Sequence, residues 1–548
     1  MDEQTFEERL RQLGHSYDGM PDRTSAQEIT KNILQREGKK RRLRLSMPAA
    51  ASIAGIILIG GLLSFQLFKG PESSPGEGKP GILSQEQDPP STEKIKEKSE
   101  EARALYNERL KKLKEKLRNE DAELYPFVQE ANQSIKKFSL RPFANEKELQ
   151  NQSEQLQEKV KMHVSSIDEQ MDMLQEKAKQ GETISDDDLL LLLAKQDQMY
   201  DRYNEKWENS ADLIAPDFES FKTVIASMND GTFENEKLKP VVEEIRGAGY
   251  RFFDAGEGMI NIQPDYGWPK QKLGGRISAS YSEWADFNLN KPYMADNTII
   301  DDIKAGERLV EMEEFALSNP NFTRMDKVKT AYRDLFQNYV SKGFFDPNRK
   351  APSQEFEESL LNLKRKFPDS DTFKEIALLH QKYKDGKLDK QESYAIPPSM
   401  QPAVPEFSQP VILFPLTEQM SGMYKDLQAS KDPVALIAET GYKGNMNTEQ
   451  ITVLRIYLYA MLKKDYETAY ILTDTKKSKS EFIQEAQKAK ADFLSLNTKA
   501  KYLKVNASDG EEGITALELY SLEGIEQTFY LKTGGGGLSS RVQIGRQE

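Results

Sequence analysis

The chain has 548 residues and a formal charge of −13, with 30% charged and 37% hydrophobic residues and no cysteine. Without cysteine there can be no disulfide, no cysteine nucleophile and no Cys/His zinc site, and three scattered histidines (His15, His163, His380) make no metal set of their own. The length allows about two to four domains of roughly 100–200 residues each, and the acidic balance argues against direct nucleic-acid binding, which needs a cationic face.

Residues 1–44 form the first unit. Phe6, Leu10 and Leu13 lie on one stripe of a short helix. Gly14, Gly19 and Pro21 break it, and Ser25-Ala-Gln-Glu28 is a capping box opening a second helix with Ile29, Ile33 and Leu34 on one face. Two such helices cannot bury a core alone. Either the segment is a basic anchor that only sets orientation, or its stripes dock in the groove of a partner. Leu45 to Phe68 then runs without a charged residue. A stretch of about 20 apolar residues spans a hydrocarbon core as one helix in membrane lipid. Lys39, Lys40, Arg41, Arg42 and Arg44 flank its start, so 1–44 is expected in the cytoplasm and everything after Phe68 outside. Residues 1–47 carry +2 and the remainder −15. No small-x-small pattern follows the run, which favours an anchor over a cleaved signal. A cysteine-free external region fits a Gram-positive envelope.

The order "FEERLRQLGHSYDGMPDRTSAQEITKNILQ", a basic run and a single span resembles the N-terminal part of membrane-bound anti-sigma factors of Bacillus-type bacteria. It is most similar to regulators described as negative effectors of the extracytoplasmic-function sigma factor X. The resemblance covers about one tenth of the chain. It implies a cytoplasmic sigma factor as partner, held by the stripes Phe6, Leu10, Leu13 and Ile29, Ile33. His15 has no cysteine partners, so the zinc-containing subclass is excluded.

The remaining residues predict a mainly α protein with a C-terminal α+β module. Residues 69–92 hold five prolines and read as a flexible or extended tether. Residues 93–210 read as a helical stalk, an antiparallel hairpin or bundle. Its helices are expected over Glu93–Asn119, from Pro126 to before Arg141-Pro142, over about Asn145–Gln180, and after Ser185-Asp-Asp-Asp188. Val160, Val164, Ile167, Met171, Leu174 and Ala178 step as a heptad seam, under three heptads, which keeps a dimerising coiled coil as an alternative. Asp186, Asp187 and Asp188 are first-turn acids that complement the helix dipole rather than a calcium site.

Residues 211–395 read as a mostly helical module with one hairpin, Tyr250–Phe253 and Met259–Ile262. Trp268, Tyr281 and Trp284 are expected in its core rather than on sugar rings. Helices follow over Asp296–Asn319, Arg324–Lys342, Ser353–Lys366 and Thr372–Lys384. Asp346-Pro-Asn348-Arg-Lys350 lacks the glycine and acid spacing of a calcium loop. His380 shows no carboxylate or second histidine at ligand spacing.

Residues 396–410 are a proline-rich boundary to a module over 411–548. Thr448 caps a helix to Lys464, short helices follow to Leu472 and over Ser480–Phe493, and four strands close the chain: Lys501–Asn506, Ile514–Leu522, Thr528–Thr533 and Leu538–Ile544. "VLRIYLYAMLKKDYETAYIL" followed by those strands resembles the fold named after nuclear transport factor two. That resemblance implies a cone-shaped sheet with a pocket, which in enzymes of the fold holds an Asp/His or Tyr/Asp pair. This module has no histidine, and Asp465 reads as turn chemistry.

The expectation is a single-pass membrane protein that senses the cell envelope and negatively regulates an extracytoplasmic-function sigma factor. An envelope-anchored interaction or scaffold protein is the alternative. No carboxylate pair stands out from solvated helix faces, so no enzyme, cofactor, catalytic residue or metal site is expected.

Overall fold

The computed structural model describes residues 89–543 except 212–220, 257, 290–292, 296–297, 346–350, 389–395, 404, 406–407, 431–445, 490, 508–513 and 534–539. Phe6, Leu10, Leu13, Ile29, Ile33, the Leu45–Phe68 run, the tether up to residue 88 and the Asp346–Lys350 segment lie outside the described residues. Among the described residues no helix is long and apolar enough to cross a membrane.

Helices dominate, and a sheet forms near the C-terminus. Helix α1 (Thr92–Leu117) starts where the Ser91 hydroxyl accepts from Lys94 N–H and stops at Arg118, in the left-handed region at φ 48°. Pro126 opens α2 (Pro126–Leu140), where its missing N–H costs no helix bond. The single helix expected over Asn145–Gln180 is two, α3 (Glu146–His163) and α4 (Ile167–Lys179). The chain breaks at Val164-Ser165-Ser166, where Glu169 Oε2 accepts from Ser166 N–H at 3.2 Å and starts a new helix. Val160, Val164, Ile167, Met171 and Leu174 are all buried in this chain's own core, so the seam is not a coiled-coil stripe. Helix α5 (Asp186–Ala211) begins at Ser185, whose hydroxyl accepts from Asp188 N–H.

Helices α6 (Phe221–Asp230) and α7 (Lys239–Gly247) lead into strands β1 (Tyr250–Gly256) and β2 (Met259–Pro264), antiparallel with Phe252 opposite Ile262. Helix α5 covers the hairpin: Trp207 Nε1 donates to Ile260 O at 2.5 Å and Tyr200 OH to Ile262 O at 3.3 Å. Gly249, at φ 75°, admits this packing, since a Cβ there would lie 2.2 Å from the Gln196 amide. Helices α8 (Trp268–Leu273) and α9 (Ala279–Leu289) bury Trp268, Tyr281 and Trp284 as expected.

A short ladder of β3 (Met294–Ala295) and β4 (Thr298–Ile299) replaces the start of the helix expected from Asp296. Helix α10 (Asp302–Ser318) begins after it, capped by Asp301, and leaves Ile300 exposed. Helices α11 (Met325–Phe344), α12 (Gln354–Lys366) and α13 (Asp371–Lys384) pack around α10. Buried Glu313 on α10 accepts from the N–H groups of Asp371 and Thr372 at 2.8 Å each, capping α13. One apolar core runs through all these elements, from Ala102 to Met400, across the boundary expected at residue 211.

The second core is C-terminal. Helices α14 (Glu418–Ser430), α15 (Met446–Leu462) and α16 (Tyr466–Ile471) precede α17 (Lys479–Lys488) and α18 (Phe493–Lys499). Thr448 falls inside α15 rather than before it. Strands β7 (Tyr502–Ala507), β8 (Ile514–Ser521), β9 (Gly524–Thr533) and β10 (Ser540–Gln543) match the expected meander. Two strands were not expected: β5 (Gln409–Pro410), from the proline-rich stretch, and β6 (Thr473–Asp474). They extend the sheet to the order β5-β7-β8-β9-β10-β6, with β10 and β6 parallel. Leu503, Leu517, Leu519 and Leu531 pack with Leu454 and Leu458 of α15.

Candidate functional site

A cleft of about 1300 Å³ opens where the two cores meet. Helix α5 contributes Leu190, Leu191, Ala194 and Tyr200, the hairpin Ile262 and Pro264, and the C-terminal module Val411, Ile412 and Tyr502. This is larger than the roughly 300–1,000 Å³ of a small-molecule pocket, so it suits an extended ligand better than a compact cofactor.

One turn supplies the charged centre of the cleft. Arg324, just before α11, is buried and donates to Asp197 at 2.8 Å, with its guanidinium 5.9 Å from the Trp284 ring centroid. Burial opposes the Arg324 charge most strongly, but Asp197, Tyr266 and Asp326 together outweigh it and hold the pKa above the usual value. Two residues on, Asp326 accepts from the Tyr502 hydroxyl, and Lys327 Nζ lies 5.4 Å from the centroid of the same ring. Burial and the Asp326 charge push the Tyr502 phenol well above its ordinary range.

The cleft is flanked by a polar seam. Arg455 on α15 is buried and donates to Asp201 at 2.7 Å, and also to the carbonyls of Leu413 and Pro415. Asp121 accepts from the Tyr459 hydroxyl and from Lys463 Nζ at 2.6 Å. Glu205 accepts from the N–H groups of Glu418 and Gln419 and so caps α14. Asn497 donates to Leu124 O at 3.0 Å, and Leu124 itself is buried in the C-terminal core. At Asp121, Asp201, Glu205 and Asp326 the carboxylate belongs to the helical body and the donor to the C-terminal module.

His163 lines the far end. Its Nδ1 is 2.9 Å from Phe127 O, which fits an Nδ1–H donor, and burial lowers its pKa from the usual 6.5 to about 4. Behind it Lys195 is fully buried. Its Nζ donates to Met162 O at 2.6 Å and to Ser165 O at 2.8 Å, satisfying carbonyls at the end of α3. Desolvation pulls its pKa well below the usual lysine value.

The sequence-derived partner stripes, Phe6, Leu10, Leu13, Ile29 and Ile33, lie outside the described residues. Asp465 caps α16, accepting from Thr468 N–H at 3.2 Å, and also accepts from Tyr424 OH and Gln428 Nε2 at 2.8 Å each. His380 does have a carboxylate partner: Glu357 on α12 comes within 2.8 Å of Nε2. Spacing along α13 could not show a residue supplied by another helix. Among the described residues no group of three or more His, Asp or Glu is placed to hold a metal ion. Arg324, Asp326, Lys327 and Tyr502 were not singled out from sequence, because no periodicity marks a helix start as a cleft wall. No family model, curated protein or solved structure matches the chain.

Proposed function

We propose that the chain is a single-pass membrane regulator. Residues 1–44 hold a cytoplasmic extracytoplasmic-function sigma factor through Phe6, Leu10, Leu13, Ile29 and Ile33, and the external part senses the state of the envelope. The observation that carries this reading is the uncharged run Leu45–Phe68 behind a basic cluster, next to two amphipathic stripes too small to bury a core of their own. The cleft supports a binding rather than a catalytic role for the external part. Three of its carboxylates are already engaged, Asp197 by Arg324, Asp201 by Arg455 and Asp326 by Tyr502. The C-terminal module is read as a nuclear-transport-factor-two-like unit, supported by helices α15 and α16 ahead of a meander whose last strand pairs with β6.

The test uses the full chain in membranes of a Bacillus-type host. Co-purification of one sigma factor, lost in a Phe6→Ala/Leu10→Ala/Leu13→Ala variant, is expected. Equal recovery by both chains, or recovery of none, would sink the regulator reading and favour an envelope-anchored interaction protein. Topology is checked on the cysteine-free background: Ser16→Cys should resist an impermeant maleimide in intact protoplasts, and Gln133→Cys should react.

A further inference from the structure

A second cavity, about 630 Å³, lies between α4, α7, β1 and α8, apart from the cleft. Two of the acids on its wall are already engaged: Asp168 pairs with Lys116, and Asp265 accepts from Gly267 N–H. Six further charged side chains line it: Arg246 and Glu243 from α7, Arg251 from β1, Lys272 from α8, Asp172 from α4 and Asp230 at the end of α6. These six balance, three of each sign, yet none of them forms an ion pair with another described residue. This holds even for Glu243 and Arg246, which share a helix face at i, i+3 spacing. Charges of both signs left unpaired around one concave space can each be satisfied by a ligand that carries both.

The arginines are built in, while the unpaired acids are exposed. Arg246 and Arg251 are half-buried, and Arg251 Nε is a buried donor with no acceptor among the described residues. Gly231, at φ 82°, leaves room for the Arg246 guanidinium, because a Cβ there would come within 2.5 Å of Nη1. A half-buried guanidinium without an acidic partner matches a carboxylate, which it can bind through two parallel hydrogen bonds. Asp172, Asp230 and Glu243 offer acceptors to an ammonium. The volume is in the small-ligand range.

We infer that this cavity binds a short peptide with free termini, its carboxylate held by Arg246 and Arg251 and its ammonium by Asp172, the unpaired acid that α4 brings to the wall. The inference goes beyond the regulator reading and stands whether or not residues 1–44 hold a sigma factor.

The experiment is calorimetric titration of the full chain in detergent micelles with Ala-Ala, N-acetyl-Ala-Ala and Ala-Ala-amide. Ala-Ala should bind with Kd on the order of 1 mM or tighter, and blocking either end should weaken it about tenfold or more. Arg251→Gln should lose the preference for the free carboxylate, binding Ala-Ala and its amide alike. Asp172→Asn, an exposed change that leaves the core untouched, should narrow the gap between Ala-Ala and its N-acetyl form. No binding of Ala-Ala up to about 10 mM, binding indifferent to both blocks, or terminal preferences unchanged in both variants would overturn the inference.

Discussion

The two cores are closed in the same way and joined in a different one. Inside the helical body, Trp207, Phe252, Trp284 and Phe315 are all buried in one apolar core that continues from Ala102 to Met400. Between the body and the C-terminal module the join is a row of carboxylates facing donors, with Leu124 the apolar residue the body lends to the other core. Apolar packing resists any partial opening. A polar seam can exchange its partners for water at modest cost, and that is the property expected of the walls of a cleft that admits a ligand.

The sharpest way to break this contrast is Arg455→Ala. It leaves Leu413 O and Pro415 O without their donor and Asp201 without its partner. A cost of about 2–4 kcal/mol is expected, mostly from the two carbonyls because half-exposed Asp201 keeps access to water, and is read as a lower urea midpoint for the C-terminal module. Acidification comes next. Folding holds His163 neutral down to about pH 4, whereas the unfolded chain protonates it near 6.5. Its contribution is therefore fully present above pH 6.5 and is lost as pH falls from 6.5 towards 4, a change of about 3 kcal/mol. His163→Gln should flatten that part of the stability profile, as measured by urea unfolding at stepped pH. Lys195→Met strips Met162 O and Ser165 O of their donor and is expected to cost about 2 kcal/mol, partly offset because no lysine then needs desolvating. Its effect should appear in the helical body alone. The smallest effect is Lys463→Ala, a partly exposed contact to Asp121 worth about 0.5 kcal/mol and weakened by salt.

Local chemistry made much of the fold legible. The hairpin of β1 and β2 follows from glycines between β-branched and aromatic residues, and α2 and α5 start where Pro126 and Ser185 place them. The break between α3 and α4 was hidden because Val160 to Ala178 keep their heptad step across it. What ends α3 is Ser166 with Glu169, and Lys195 brought from another helix. Strands β5 and β6, two residues each, are too short to show alternation, and each forms only against a strand from far along the chain. The cleft was illegible for the same reason. Arg455 and Asp201 are 254 residues apart, and Tyr502 and Asp326 are 176. Neither member of such a pair looks different, in sequence, from a residue on a solvated helix face.

The most direct test of the contrast uses the placement of the tryptophans. Trp207, Trp268 and Trp284 all lie in the helical body, so their fluorescence reports that core alone. A fluorophore on Ser521→Cys, the sole thiol in the chain, reports the C-terminal sheet. Urea unfolding would be followed with both probes in the Ser521→Cys chain and in the same chain carrying Asp121→Asn and Asp201→Asn, changes on the body's side of the seam. The polar-seam account predicts coincident transitions in the first, and in the second a sheet transition shifted to lower urea with the tryptophan transition unmoved. Coincident transitions in both would contradict it, and would mean that the two cores are held together by something other than the carboxylate row.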